Sequence, residues 1–191
     1  LKYEVLLAIL TLGWNVLLSD ADVVTLQSPF DGHLYRDADL EAMSDGSNEK
    51  EAYGSIVFFD DPEMGWSRYA QGTQHYNLNS GLFYIQANDR TRNLMHRMAT
   101  RMTMQAYWDQ QAFNEEVFFL THGNYQSPGV SVRVMDIYEY MNSKTLFIAT
   151  LLRAKNGSNI LETKPSLSTF DIAWASSWCV WMTNTSQVFS F

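Results

Sequence analysis

The order of apolar and polar residues near the start of the chain predicts a helix followed by a buried strand. Residues 2–12 are mostly apolar and end at Gly13, which is typical of a buried helix that a glycine stops. Residues 15–18 form a shorter apolar run, which is typical of a central parallel strand. This run stops at Asp20 and Asp22. We therefore expect two carboxylates at the carboxyl end of a strand, where open α/β sheets bind their ligands.

The same pattern predicts further elements downstream. We expect strands at residues 39–43, 81–87 and 130–135, a helix from Asn88 or Asp89 to about Met104, and a helix at 110–120 capped by Asp109. Residues 46–78 are rich in Gly, Ser, Asn and Asp, and are predicted to be mainly a loop that forms a mobile flap over a site. We find no repeat and no linker. The chain is therefore expected to form one domain over residues 1–165, with a divergent, irregular tail over residues 166–191.

Composition and charge narrow the class of protein. The chain has 191 residues, of which 46% are hydrophobic and 18% charged, as in a globular domain. Thirteen basic against twenty-one acidic residues give a net charge of −8, which argues against nucleic-acid binding. An acidic protein that binds a diphosphate needs a divalent cation to cancel the repulsion. Cys179 is the single cysteine, so no disulfide forms within the chain, and no membrane span or signal peptide is visible.

Asp20 and Asp22 are the clearest candidates for chemistry. Two carboxylates two residues apart at a strand end can hold a hard cation such as Mn²⁺ or Mg²⁺, and that cation can bridge the phosphates of a nucleotide sugar. It would act as a Lewis acid on the departing diphosphate. Surface loops also contain many such pairs, so the pair alone does not decide the function.

Two other interpretations use nearby acidic residues. Residues 16–24 also fit the nucleophile motif of haloacid-dehalogenase-like phosphatases, in which Asp20 would attack phosphorus and Asp22 would be the acid and base. The Asp60-Asp61 pair could then be the later acidic pair of that fold. Separately, residues 37–41 resemble a calcium loop. This loop lacks the required glycine and the glutamate at its twelfth position, which excludes it.

Four segments in order along the chain resemble segments of one known family. They are residues 13–24, 39–45, 79–84 and 109–114. They are similar, in turn, to the Asp-x-Asp region, the second sheet segment, the Asn-x-Gly-aromatic strand and the Asp-Gln-x-x-Phe-Asn helix start of the nucleotide-diphospho-sugar transferases called glycosyltransferase family 77. This family includes plant and algal arabinosyl- and xylosyltransferases. The matches cover about residues 1–165, and the phosphatase interpretation explains none of the last three.

The resemblance implies a fold and a reaction. The fold would be α/β of the glycosyltransferase A type (Rossmann-like), a mixed sheet flanked by helices and incomplete at the N-terminus. The reaction would move a pentose or a galactose-like sugar from a UDP-sugar to a hydroxyl of a glycoprotein or cell-wall polysaccharide, with retention of anomeric configuration. The full-length protein would be a single-pass membrane protein facing the Golgi lumen, and sequons at Asn156 and Asn184 agree with a lumenal location.

The resemblance also assigns residues to the donor site. Asp22 would bind the metal, and Asp20 would contact either the ribose of the nucleotide or the metal through water. Asn79 and Gly81 would line the sugar pocket, with Gly81 there because a side chain would obstruct close approach.

Two further assignments concern catalysis and the end of the chain. Asp109, with Gln110 beside it, would meet the hydroxyls of the sugar or the acceptor. After Lys164-Pro165 the family continues with an apolar strand and histidines, one of them near the metal, and this chain has no histidine there. We therefore expect a metal site with carboxylate ligands alone, and a catalytically inactive remnant stays an alternative. The four histidines lack ligand spacing and are expected to be structural or surface residues: His33, His75, His96 and His122.

Overall fold

The computed structural model describes residues 1–30, 34–53, 78–104, 108–118, 129–149, 167–169, 178–184 and 187–190. Within these ranges the helices are α1 Lys2–Thr11, α2 Glu49–Tyr53, α3 Asp89–Met104 and α4 Asp109–Phe118, with a π-helical segment Lys144–Ala149. The strands are β1 Asn15–Asp20, β2 Val23–Thr25, β3 Leu40–Ser44, β4 Leu78–Ile85, β5 Val132–Val134, β6 Tyr140–Met141, β7 Leu167–Thr169, β8 Trp178–Asn184 and β9 Gln187–Ser190. The predicted strands near 39–43, 81–87 and 130–135 are therefore confirmed as β3, β4 and β5.

The main sheet is mixed, and β1 lies in its interior. The strand order is β5-β3-β4-β1-β8-β9; β3 and β5 are parallel and the other neighbours are antiparallel. A smaller sheet has the order β2-β7-β6. The prediction of a central strand is confirmed for β1, but the prediction that it is parallel is wrong, because both its neighbours run against it. Burial on both faces produces a continuous apolar run whatever the strand direction.

Apolar clusters cover both faces of the main sheet. Val16 and Leu18 of β1 point to one face and Leu17 to the other, as the two-residue period of a strand requires. Helices α1, α3 and α4 pack on the first face, where the rings of Phe83 and Phe113 stack with centroids 5.0 Å apart. The second face is covered by Leu34, Met43, Leu82, Tyr84, Met135 and Tyr140. This packing holds β1 between two apolar layers and leaves Asp20, at its end, partly exposed.

Local capping explains where two of the helices begin or end. α1 ends at Thr11, and Gly13 follows with φ +85°, a left-handed conformation that glycine adopts without strain, so the predicted glycine stop is confirmed. Asn88 caps α3: its Oδ1 accepts the Thr91 N–H at 3.1 Å, and Thr91 Oγ1 accepts the Asn88 N–H at 3.1 Å. The predicted start of this helix at Asn88 or Asp89 is confirmed as well.

The expectation of an irregular tail over residues 166–191 is wrong where the structure describes that stretch. β8 pairs with β1 in continuous antiparallel register, from Asn15 opposite Thr183 to Asp20 opposite Trp178. β9 pairs with β8, and β7 joins the smaller sheet. The backbone N–H and C=O groups of β1 need partners on both sides, and a strand supplies them without regular side-chain alternation. The division into domains at residue 165 stays a prediction.

Two other expectations concern the loop and the membrane. Of the residues expected to form a flap, Glu49–Tyr53 are helical, and residues 54–77 lie outside the described part. Across the ranges given above, no helix combines the length and the apolar character needed to cross a bilayer.

Candidate functional site

The candidate site lies at the edge of the sheet where β1 and β3 end and β4 begins. Asp20 is the last residue of β1, and Ser19 pairs with Leu82, so the start of β4 runs alongside it. Ser44, the last residue of β3, pairs with Leu78, the first residue of β4. The site was expected at the carboxyl ends of strands. It includes the amino end of β4 as well, because β4 is antiparallel to both neighbours.

Gly81 leaves space for the carboxylate of Asp20. A Cβ atom at position 81 would lie 2.9 Å from Asp20 Oδ2 and 2.9 Å from Asn79 Oδ1, closer than real Cβ contacts. Asn79 turns back onto the same residue, since its Oδ1 accepts the Gly81 N–H at 2.7 Å. Three of the residues assigned to the donor site from the resemblance, Asp20, Asn79 and Gly81, thus lie together.

Lys2 joins the two ends of this cluster. From the first turn of α1, its Nζ lies 3.3 Å from Asp20 Oδ1 and 3.5 Å from Asp109 Oδ2, and it donates to the Ser80 carbonyl oxygen at 2.8 Å. The side chain is only 15% exposed, which strengthens these charge interactions relative to a surface pair. Sequence reasoning missed Lys2, whose one signal is a lone cation at the start of an apolar helix.

Asp109 faces the site from the first turn of α4. Its Oδ2 accepts hydrogen bonds from the Tyr3 hydroxyl at 3.4 Å and from Ser80 Oγ at 3.3 Å. Burial, and the negative charge of Asp109 opposite, raise the pKa of Tyr3 well above its usual range, so this hydroxyl stays a donor. Asp109 and Asp20 lie on the same side of the sheet, bridged by Lys2, as expected if they serve one site.

The electrostatics of the cluster favour a cation. Burial raises the pKa of Asp20; Lys2 opposes this shift, while the charges of Asp109 and Asp22 add to it. Three carboxylates with one ammonium leave two negative charges in excess, which a divalent ion would balance. Carboxylate oxygens are the ligands that Mg²⁺ and Mn²⁺ prefer.

The donor set fits a cation that shares its ligands with a substrate. Within the described ranges, no three His, Cys, Asp or Glu side chains are grouped closely enough to hold a metal by themselves. Mg²⁺ is commonly bound through one or two carboxylates together with substrate phosphates. Asp20, at the end of β1, and Asp22, two residues later in the chain, supply the two carboxylates that such an arrangement requires. Their assignment as metal ligands stays a prediction.

A second wall of the site is built around Asp45, which follows β3. Asn79 Nδ2 lies 3.5 Å from Asp45 Oδ1, and Lys144 Nζ donates to Asp45 Oδ2 at 2.8 Å. The buried Asn142 fixes the backbone on both sides of Asp45, because its Nδ2 donates to the carbonyl oxygens of Ser44 at 2.8 Å and Gly46 at 2.7 Å. Asp45 is therefore neutralised by Lys144 and held in place.

The Asp-Gln-x-x-Phe-Asn segment, residues 109–114, contains a residue with a structural role as well as the candidate catalytic residues. Asn114 is 1% exposed and pairs with the backbone of Leu78 twice: its Oδ1 accepts the Leu78 N–H, and its Nδ2 donates to the Leu78 C=O, each at 2.8 Å. Asn114 therefore fastens α4 to the start of β4, next to Asn79. Gln110 is buried on the same helix, and its carbonyl accepts from Asn114 at 2.8 Å. The catalytic assignment of Asp109 and Gln110 stays a prediction.

The histidines and the second acidic pair add nothing to the cluster in the described part. His96 is exposed on α3, as expected for a surface residue. The other histidines and the acidic pair of the phosphatase interpretation lie outside the described residues: His33, His75, His122, Asp60 and Asp61.

Comparison with known proteins identifies the class of protein. The family model described as nucleotide-diphospho-sugar transferase matches residues 1–167, and the chain belongs to this family. The resemblance found in the sequence is thereby confirmed. So is the α/β fold of the glycosyltransferase A type, since the structure has a mixed sheet flanked by helices.

The relatives are arabinosyltransferases of a plant. The chain is 48% identical over 147 residues to arabinosyltransferase RRA2 of Arabidopsis thaliana, and 46% identical over 147 residues to arabinosyltransferase RRA1 of the same organism. Each alignment covers 77% of this chain but 34% and 36% of the relatives, so the chain spans about a third of their length. No solved structure matches it. Glycosyl transfer is the class of reaction that these similarities support.

Proposed function

We propose that the chain is the core of a metal-dependent enzyme that transfers a pentose, arabinose by its relatives' names, from a UDP-sugar to a hydroxyl of a glycoprotein or cell-wall polysaccharide. The observation that carries the proposal is the convergence of Asp20, Gly81 and Asp109 at the end of β1. The missing side chain of Gly81 lets the Asp20 carboxylate lie at the end of β1, where it can serve a cation that carries a diphosphate. The carboxylate of Asp109, on the other side of Lys2, can accept hydrogen bonds from a sugar.

The donor end of the site would be built by residues at the ends of β1 and β4. Asp22 and Asp20 would hold Mn²⁺ or Mg²⁺, with phosphate oxygens of the donor completing the ligands. The ion would supply Lewis-acid stabilisation of the charge that develops on the departing diphosphate. Gly81 and Asn79 would line the sugar pocket, where the missing side chain of Gly81 lets the sugar approach the backbone.

Lys2 and Asp109 would orient the sugar at the other end of the site. Asp109 is held by donors from Lys2, Tyr3 and Ser80, so its remaining lone pairs point in a fixed direction. A fixed carboxylate can accept hydrogen bonds from sugar or acceptor hydroxyls and orient them, which lowers the entropic part of the barrier. Gln110 would support it from the same turn. We propose that the anomeric configuration is retained, as the family resemblance implies.

The cellular setting is part of the proposal. We propose that the whole protein faces the Golgi lumen and has a membrane anchor outside this chain, as the family resemblance implies. The phosphatase alternative does not agree with the family of the chain, which is that of the nucleotide-diphospho-sugar transferases.

Thermal unfolding with a panel of UDP-sugars tests the proposal. UDP-arabinose, UDP-xylose and UDP-galactose are compared with and without Mn²⁺. A ligand at about 100 times its Kd adds ~2.7 kcal/mol of stability, which a melting shift reveals. We expect stabilisation that requires Mn²⁺ and is largest for a pentose donor, followed by UDP release when acceptor is added. Equal stabilisation without metal would contradict the proposal, and binding without UDP release would favour the inactive alternative.

A further inference from the structure

An open cavity of about 420 Å³ lies at the β5 edge of the main sheet. Its lining shares no residue with the carboxylate cluster: Asp37, Ala38, Tyr53, Val132, Arg133 and Val134. Its volume falls within the range of small-ligand sites. Its lining combines three apolar residues, Ala38, Val132 and Val134, with an equal number of polar ones.

Two of the polar residues in the cavity, Arg133 and Asp37, form a planar ion pair with no net charge. Arg133 donates from Nε to Asp37 Oδ1 at 2.7 Å and from Nη2 to Asp37 Oδ2 at 2.5 Å. The Tyr35 ring packs against the same guanidinium, with its centroid 4.6 Å from Arg133 Cζ. Because Asp37 cancels the charge of Arg133, the cavity is not suited to an anion such as a diphosphate. The exposed edges of the pair remain available for hydroxyl groups.

Two exposed tyrosines lie at or beside the cavity: Tyr35 packs against Arg133, and Tyr53 belongs to the lining. Tyr35 is 64% exposed and Tyr53 is 45% exposed, which is unusual for large aromatic side chains of a globular domain. Tyr53 is held in place because its hydroxyl oxygen accepts the Ile137 N–H at 2.8 Å. Flat, amphipathic rings beside paired polar groups suit a ligand with an apolar C–H face and hydroxyl edges, and sugar rings have both.

The cavity is also connected to the carboxylate site through a short stretch of chain. Asp45 contacts Asn79 in the site, and α2 begins four residues later and ends at Tyr53 in the cavity wall. A five-residue helix spans about 7.5 Å and the four residues before it at most ~14 Å, so the cavity wall lies within roughly 22 Å of Asp45. A ligand of several sugar units could therefore have one end near the carboxylates and another part in the cavity.

We propose that this cavity binds the neutral sugar chain of the acceptor, with Tyr35 and Tyr53 as stacking faces and the Arg133–Asp37 pair as the hydrogen-bonding edge. The acceptor role rests on the proposed function. The binding of a neutral oligosaccharide does not.

The test is binding of arabinotriose to the whole 191-residue chain, without metal or UDP, measured by calorimetry and by saturation-transfer NMR. We expect Tyr35→Ala and Arg133→Gln each to weaken binding at least fivefold. The matched control is Arg92→Gln, which removes a surface arginine paired with Asp89 on α3 and should leave the affinity unchanged. Far-ultraviolet circular dichroism checks that each variant is folded. Absence of binding, or equal affinity in all four proteins, would overturn the inference.

Two readouts separate this inference from the proposed function. Hydrolysis of the UDP-sugar by water in Mn²⁺ reports the donor site alone, and we expect Tyr35→Ala to leave it unchanged while the KM for an oligosaccharide acceptor rises at least fivefold. A protein that hydrolyses the donor but shows no acceptor effect in Tyr35→Ala retains the proposed function and refutes the cavity's role. Lost arabinotriose binding in Tyr35→Ala, in a protein that never uses a UDP-sugar, supports the sugar site and refutes the proposed function.

Discussion

Replacing Gly81 by alanine tests whether the carboxylate of Asp20 needs the open backbone beside it. The new Cβ would lie 2.9 Å from Asp20 Oδ2, 3.3 Å from Asp20 Cγ and 2.9 Å from Asn79 Oδ1. Ordinary Cβ contacts begin at 3.4 Å, so each oxygen must retreat by at least about 0.5 Å. The substitution therefore moves the proposed ligand of the cation without removing any functional group.

The expected cost falls mainly on activity. Both obstructing atoms of Gly81→Ala are the ends of side chains, so the free energy of unfolding should fall by only about 1–2 kcal/mol. A displacement of half an ångström to one ångström at a reacting site can lower the rate by ~10- to 100-fold. We expect UDP release from a UDP-sugar in Mn²⁺ to fall in that range. Urea unfolding measures the stability of the same preparation.

Gly46→Ala is the matched control. Its Cβ would lie 2.9 Å from the Ala52 nitrogen and 3.0 Å from the Glu51 carbonyl carbon, which belong to the backbone of α2 and cannot turn aside. We expect a larger loss of stability, about 2–3 kcal/mol, and a smaller loss of activity per folded molecule. The reasoning is refuted if Gly81→Ala keeps the wild-type rate, or if it destabilises the protein more than Gly46→Ala does.

Three further substitutions test other parts of the structure. Lys2→Met removes the cation that lowers the pKa of Asp20, so the acid limb of the pH–rate profile for UDP release should move to higher pH. Lys2→Arg keeps the positive charge and should restore the wild-type profile. An acid limb that does not move in Lys2→Met would refute the contact between Lys2 and Asp20. Asn114→Ala leaves the buried N–H and C=O of Leu78 without their side-chain partner and should cost about 2–4 kcal/mol in urea unfolding, whereas a cost below ~1 kcal/mol would contradict this function. Asp39 is buried and accepts two hydrogen bonds from Arg90, which hold the pKa of its carboxyl below the usual value. The contribution of this pair to the free energy of unfolding is present above about pH 4 and is lost as pH falls. Asp39→Asn should therefore lower stability by about 2 kcal/mol at pH 7, and the difference from the wild type should shrink steadily as pH falls below about 4. A difference that is as large at pH 2 as at pH 7 would exclude this cause.

Elements with strong local signals could be predicted from the sequence. Helix α1 follows from its apolar run and from Gly13, whose positive φ ends it. The start of α3 follows from Asn88, because a side chain that caps a helix acts within three residues. The direction of β1 could not be predicted, since both strand directions bury the same residues. β8 was missed because its backbone pairing with β1 needs no side-chain period.

In the site as well, residues of short sequence motifs could be predicted, and residues that only the fold brings together could not. Asp20, Asn79 and Gly81 belong to short motifs, and the structure brings them together. Lys2 was missed because its partner Asp109 lies 107 residues away in the chain, and only the packed fold makes them neighbours. Asn114 was quoted as part of a motif, but its pairing with the start of β4 depends on where α4 docks. Contacts between residues that are far apart in the chain produce no recognisable motif in the sequence.

Calorimetric titration of UDP in Mn²⁺ into the wild type and Asp22→Asn tests the central claim most directly. The substitution keeps the size and hydrogen-bonding capacity of the side chain but removes a charge that a divalent ion needs. Asp22 also repels Asp20, so the variant without ligand should be as stable as the wild type or slightly more so. We predict that the wild type binds UDP only when Mn²⁺ is present and that folded Asp22→Asn loses this binding. Unchanged UDP affinity in folded Asp22→Asn would contradict the assignment of the cation site to the end of β1.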